Sequence, residues 1–248
     1  MDLAAFFQKY PKVAIAFSGG VDSAYLLYAA IAHGAEVRAY YVKSAFQPQF
    51  ELEDAKKLTN FLQADMRILE VDVLSEAPIP QNPANRCYHC KKKLFQILCD
   101  TAKKDGFPVL LDGTNASDDS DDRPGMKALS ELHVLSPLRI CGLTKDKIRQ
   151  LSKEAGLFTW NKPAYACLAT RIPTGTPITL SMLEKTEHAE SYLTKLGFSD
   201  FRVRLLGEGA RLQVPEYQLE RVLSYKKEIL AELKKYYSFV MLDLKTRD

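Results

Sequence analysis

The chain has 248 residues, of which 46% are hydrophobic and 26% charged, with 12 glycines and 12 prolines. That is enough apolar material for a substantial core, and it excludes disordered, collagen-like and low-complexity chains. A formal net charge of +3 singles out no nucleic-acid partner, because so small a balance says nothing about surface patches.

Met1–Phe7 (MDLAAFF) lacks the basic region and apolar run of a signal peptide, and no stretch approaches about 18 apolar residues. A soluble, cytoplasmic protein with no membrane contact is expected. In that compartment its five cysteines are thiols or metal ligands rather than disulfides.

In chain order, Lys12–Phe17, Glu36–Val42, Met66–Val71 and Pro108–Leu111 are short, apolar and β-branched, and are predicted as strands. Ser23–His33, Phe50–Gln63 and Arg86–Lys104 repeat apolar residues at three- and four-residue steps and are predicted as helices, with Gly34 and Gly106 as stops. Strands alternating with helices give an α/β domain with a doubly wound parallel sheet. The polar run Gly113–Gly125 is a loop after the fourth strand, where such folds bind ligands. Thr144 is the expected N-cap of a helix ending at Gly156.

Beyond Trp160 the pattern changes. Thr179–Leu196 and Glu216–Lys235 are predicted helices, Phe201–Leu206 and Ala210–Val214 a hairpin around Gly207–Gly209, and Ser238–Leu244 a last strand. This is a small α+β domain. The boundary falls between Trp160 and Gly175, dividing the chain into residues 1–163 and 164–248.

Ser18-Gly19-Gly20-Val21-Asp22-Ser23 follows the first strand and opens the first predicted helix. Paired glycines let the backbone approach phosphate oxygens, while Ser18, Ser23 and the helix N-terminus supply donors. A carboxylate at Asp22 repels phosphates unless a cation bridges them, so a nucleotide with Mg²⁺ is expected. The hexapeptide resembles the signature of the PP-loop ATP pyrophosphatases, and lacks the Walker and Rossmann patterns. The resemblance implies an adenine nucleotide alpha-hydrolase-like fold and cleavage of ATP between its α- and β-phosphates, with AMP placed on a substrate oxygen and pyrophosphate released.

Cys87 and Cys90 form a Cys-x-x-Cys at the start of a predicted helix, where the dipole favours thiolates, and Cys167 lies near the domain boundary. Three thiols could hold three irons of a [4Fe–4S] cluster. Zinc with His89 or water as fourth ligand, a redox pair, or a sulfur-bearing Cys167 without a cluster are the other readings. Cys99 and Cys141 sit among apolar residues and are expected to be inert.

Several motifs together resemble one branch of the superfamily, the LarE-type ATP-dependent sulfur transferases. They are the Ser18–Ser23 turn, Leu111–Asn115 (LDGTN), Asp122–Gly125 (DRPG), Trp160–Lys162 (WNK), Cys167–Gly175 (CLATRIPTG), Phe201–Arg204 (FRVR) and Met241–Leu244 (MLDL). The resemblance implies that a carboxylate of a pyridinium mononucleotide is adenylated and then sulfurated, for assembly of a nickel-pincer cofactor. It places ATP against Ala16, Ser18, Gly19, Gly20, Asp22, Ser23, Lys91 and Gly113, with Lys92 also beside the phosphates. Asp22, Cys167 and Arg171 take catalytic roles. Sulfur comes either from Cys167 itself or through a cluster on Cys87, Cys90 and Cys167. Arg202 and Arg204 alternate along one strand and so share a face. By the resemblance, that face binds the substrate phosphate together with Thr170 and Glu190; the spacing alone equally describes a solvated strand face. Homo-oligomers through the C-terminal domain are implied, and no nucleic acid. Amidation of a carboxylate, thiolation of a tRNA base and a non-catalytic nucleotide sensor are the rival functions, since the same turn serves all of them.

Overall fold

A computed structural model of the chain describes residues 1–118 and 124–247. The described residues divide into two compact units, one comprising Met1–Asp72 and Asn85–Lys162, the other Val73–Ala84 and Pro163 onward.

The first unit contains α1 (Leu3–Lys9), β1 (Lys12–Ala16), α2 (Val21–Ala32), β2 (Glu36–Lys43), α3 (Gln49–Phe61), β3 (Met66–Glu70), α4 (Arg86–Lys104) and β4 (Val109–Leu111). These are followed by α5 (Pro124–Glu131), α6 (Pro137–Ile140) and α7 (Lys145–Glu154). Its strands form one parallel sheet in the order β3-β2-β1-β4. Side chains alternate across that sheet as period two requires. Val13, Ile15, Ala39, Tyr41 and Leu111 join one core with α1, α2 and α3, whereas Ala14, Tyr40 and Leu110 join a second with Leu98 and Ala102 of α4. Both faces are covered, which is the doubly wound arrangement.

The helix expected at Arg86 begins and ends where the periodicity places it, and Thr144 caps α7 by accepting the Lys147 N–H. Three helices escaped the periodicity. Helix α1 is about two turns long, held by Asp2 Oδ1 accepting from Ala5 N, α5 starts inside the run expected as a loop, and α6 spans only Pro137–Ile140.

The second unit contains a 3₁₀ turn (Leu168–Arg171), α8 (Leu180–Lys195), β5 (Arg202–Leu206), β6 (Gly209–Gln213), α9 (Leu219–Ser224), α10 (Lys226–Leu233) and β7 (Val240–Leu242). Strands β5 and β6 form the expected antiparallel hairpin, and β7 adds to β6 in parallel. The helix expected over Glu216–Lys235 is interrupted at Tyr225, between α9 and α10. Ser224 Oγ bonds back to the Glu220 carbonyl, a bond that bends helices, and the Tyr225 ring meets Phe198 edge-on.

Val73–Ala84 belongs to the second unit through backbone and side-chain bonds. Asn82, 1% exposed, donates from Nδ2 to the carbonyls of Pro173 and Thr176 and accepts from Gly175 N, while Pro80 accepts from Ile178 N. Nothing in the local pattern of residues 73–84 announces partners about 90 positions away.

Candidate active site

The order β3-β2-β1-β4 sends the chain to one side of β1 for β2 and β3 and to the other side for β4. Ligands of such sheets bind at the carboxyl ends of the strands where that direction reverses, here between β1 and β4. The Ser18–Ser23 turn lies at that point. Gly19 has φ +71°, and a Cβ there would also press on the Ala55 backbone of α3 at 3.2 Å. Gly20 caps α2 without any side-chain acceptor, so the first N–H groups of α2 point into the site with the positive end of the dipole. Ser18 and Ser23 are joined Oγ to Oγ at 3.1 Å. From the β4 side, Gly113 passes so close that a Cβ would stand 3.0 Å from Ser23 N.

Between these walls is a cavity of about 280 Å³ lined by Ser18, Gly20, Asp22, Lys91, Gly113 and Asp118 among others. A second, mainly apolar pocket of about 150 Å³ adjoins it, with Phe17, Tyr41, Leu94 and Leu98 in its wall; Ala16, Ser18 and Phe95 line both. One space offers backbone donors and charge, the other apolar faces. Asp112 is fixed by hydroxyls of Thr114 and Ser136. Asp22 receives Lys145 Nζ at 2.5 Å and the Asn115 amide at 3.5 Å. The carboxylates of Asp22 and Asp118 and the Ser23 hydroxyl are oxygen donors suited to Mg²⁺, which commonly takes one or two carboxylates and completes its shell with substrate phosphates and water.

Lys91 and Lys92 part company. Lys91 lines the cavity, whereas Lys92 donates to Glu131 of α5 at 2.8 Å and to Tyr88, and these partners raise its pKa. The expectation that Lys92 sits beside phosphates is therefore corrected: α4 turns it toward α5. The Trp160–Lys162 motif serves as an anchor, with Arg149 of α7 donating to the carbonyls of Trp160 and Lys162, and Lys162 pairing with Asp54 of α3 at 2.7 Å. Asp122 and Arg123 lie outside the described residues.

Cys87 is exposed and Cys90 half-buried, one helical turn apart at the N-terminus of α4, where Asn85 makes no side-chain cap. The Arg86 guanidinium lies 3.9 Å from Cys87 Sγ, and His89 faces Asn85 Nδ2 at 3.0 Å. Cys167 belongs to the second unit. Among the described residues, no three His, Cys, Asp or Glu side chains form a group that could hold a metal ion. Cys99 and Cys141 pack against apolar cores, and burial pushes both thiols up.

In the second unit, an arginine cluster grips the segment that carries Cys167. Arg171, its side chain fully buried, bonds Glu190 through Nε and Nη2 at 2.9 and 3.0 Å, and through Nη1 reaches the carbonyls of Ala166 and Cys167 and the Thr170 hydroxyl. Burial lowers its pKa, but Glu190 more than compensates and the net shift is upward. Glu190 also accepts from Val203 N and from Tyr165 OH, leaving no oxygen uncommitted. The sequence gives Arg171 an expected catalytic role and Glu190 an expected place against substrate. Both are buried, Arg171 at 1% and Glu190 at 4% exposure.

Arg202 and Arg204 share a face of β5 but are not the solvated pair that spacing alone allows. Arg202 donates to the carbonyls of Phe201 and Ala164, and Arg204 to Gln213 and the Thr170 carbonyl. Burial, then repulsion from Arg171 and Arg247, pulls the Arg202 pKa down to about 10 and lowers that of Arg204 as well. Such a site gains from an anion. Tyr165, whose ring faces Arg171 at 4.5 Å and Arg202 at 5.2 Å, and Lys145 were both missed; an isolated tyrosine and a lysine after an N-cap carry no signal in one sequence.

A switch-point sheet with a glycine-paired turn and a nucleotide-sized double pocket defines a PP-loop type of ATP-utilising protein. The sequence model for the queuosine biosynthesis protein QueC matches residues 12–81, the segment bearing that turn. The chain is 33% identical over 245 residues, 98% of its length and 89% of the relative's, to pyridinium-3,5-bisthiocarboxylic acid mononucleotide synthase of Lactiplantibacillus plantarum. It is 34% identical over 223 residues, 89% of this chain and 82% of the other, to an uncharacterized protein of Synechocystis sp.. A tRNA-specific 2-thiouridylase MnmA of Thermotoga petrophila is 27% identical over 61% of this chain and 54% of its own. The chain belongs to the family of the pyridinium-3,5-bisthiocarboxylic acid mononucleotide synthases, within the PP-loop superfamily.

Two substitutions test this geometry. Glu190→Gln leaves Arg171 buried beside a neutral partner and is expected to lower unfolding stability by roughly 3 kcal/mol, read by urea denaturation; an unchanged midpoint would show that the buried pair does not stabilise the fold. Gly19→Ala forces a positive φ on a residue with a Cβ, at about 1–2 kcal/mol, and should weaken binding of an ATP analogue measured by calorimetry.

Proposed function

We propose that the chain adenylates a carboxylate of a pyridinium dicarboxylate mononucleotide with ATP and replaces the activated oxygen by sulfur, for nickel-pincer cofactor assembly. The observation that carries the reading is the pair of adjoining spaces at the β1–β4 switch point: donors and charge for a triphosphate, and apolar faces for an adenine. The family of the chain supplies the substrate class, and the arginines of β5 suit its phosphate.

The N–H groups of α2, with Ser18 and Ser23, hold the β- and γ-phosphates, and Lys91 lies along the same wall. Mg²⁺, when held by Asp22 and Asp118, adds Lewis-acid charge at the phosphates. A substrate carboxylate oxygen attacks the α-phosphorus, the bond to the pyrophosphate oxygen breaks, and an acyl adenylate results. A sulfur nucleophile then attacks the acyl carbon, and AMP departs with the bonding pair. Two sources of that sulfur follow from the thiols present. Cys87 and Cys90 have the spacing and access for soft-metal ligation and, together with Cys167, would retain an iron–sulfur cluster that supplies sulfide. Alternatively the Cys167 thiolate attacks, and loss of its α-proton with cleavage of its Cβ–S bond leaves the thiocarboxylate and dehydroalanine.

Anaerobically purified protein given ATP, Mg²⁺ and the mononucleotide is expected to release pyrophosphate. Asp22→Asn should lower that rate by about 100-fold without unfolding the chain. Unchanged release would remove Asp22 from the reaction. Iron and acid-labile sulfide in the same preparation, or an intact-mass loss of one H₂S per turnover, separates the cluster from the sacrificial thiol.

A further inference from the structure

Lys145 carries its charge at the wrong end of its own helix. It is the first residue of α7, directly after the N-cap Thr144, so its ammonium stands at the positive pole of the α7 dipole. Nothing in local helix stability favours a cation there. What it meets is Asp22 Oδ2, at 2.5 Å and 123 residues away in sequence, with the two side chains only 31% and 23% exposed.

The approach is held in place by one loop. Lys145 N–H donates to Ser117 Oγ at 3.0 Å, Ala116 N–H donates to the Leu143 carbonyl at 2.8 Å, and Asn115 Nδ2 reaches Asp22 Oδ1 at 3.5 Å. Residues 115–117 therefore tie the start of α7 to the first turn of α2, beside the phosphate cavity.

Charge balance gives the pairing a purpose. Asp22, Asp112 and Asp118 line the cavity, and the lysine in its wall is Lys91. A triphosphate entering against three carboxylates needs more positive charge than Lys91 provides. When a divalent cation takes the Asp22 carboxylate, the Lys145 ammonium loses its partner next to the incoming phosphates, and a charge-assisted hydrogen bond to one of them replaces it.

We propose that Lys145 is a positioning residue that neutralises Asp22 in the nucleotide-free enzyme and transfers to a phosphate oxygen when a divalent cation occupies that carboxylate. The inference rests on the ATP reading above.

The test titrates wild type, Lys145→Met and Lys145→Arg with α,β-methylene-ATP, whose scissile bridge is blocked, using Mn²⁺ as the metal. Calorimetry reads the analogue, and electron paramagnetic resonance reads Mn²⁺ on the nucleotide-free protein. Lys145→Met should weaken the analogue about tenfold and tighten Mn²⁺ severalfold, because a competing cation has left Asp22. Lys145→Arg should recover most of the analogue affinity. A purely structural lysine would shift both affinities in one direction, and that outcome overturns the proposal. Wild-type affinities for both ligands in Lys145→Met overturn it alone. Failure of wild type to bind the analogue overturns the ATP reading and this inference with it. Lys145→Gln repeats the comparison should the methionine variant unfold.

Discussion

The loop after β4 crosses the first turn of α2 at a distance that leaves little room for a side chain: a Cβ on Gly113 would lie 3.0 Å from Ser23 N. That contact closes one wall of the cavity and sets the spacing between the backbone donors of α2 and the acidic groups, Asp112 and Asp118, of the loop after β4. Gly19 meets a matching constraint on the other side, with its positive φ and the Ala55 backbone against it. Glycines at these two points let the main chain itself line the cavity, so backbone N–H groups can approach a phosphate directly. The carboxylate of Asp22, unfavourable beside phosphates alone, is paired here with Lys145.

The second unit applies a different principle to the segment that carries Cys167. Arg171, Arg202 and Arg204 hold the carbonyls of Ala164, Ala166, Cys167 and Thr170, so the segment bearing the thiol is fixed by buried charge as well as by the apolar burial of Leu168 and Ala169. Glu190 and Tyr165 set the orientation of Arg171 in turn. Of these cations, Arg202 and Arg204 have lowered pKa values, so an anion beside them would be favoured. Gln213 links Arg204 to Asp243 and gives the MLDL motif a supporting part in that cluster.

Much of the first unit was legible because its signals are local. The β1–turn–α2 hexapeptide combines a period-two run, a glycine pair and a helix start within a dozen residues, and Arg86–Lys104 has an unbroken amphipathic stripe. The parallel sheet followed from alternation alone. What stayed hidden depends on distant pairing. The partners of Asn82, the Lys145–Asp22 bond and the burial of Arg171 against Glu190 join positions separated by 91, 123 and 19 residues, and no periodicity encodes them. An Arg-x-Arg strand reads the same whether solvated or buried, and the break at Tyr225 arises from a serine back-bond inside an otherwise regular apolar repeat.

The central claim is chemical: a substrate carboxylate oxygen becomes part of AMP. Substrate labelled with oxygen-18 in its carboxylates tests this directly, by mass spectrometry of the AMP formed by the wild-type enzyme. One heavy oxygen in each AMP is the predicted result. Unlabelled AMP, with the heavy oxygen retained in the pyridinium product or released to water, would contradict attack of the carboxylate on the α-phosphorus.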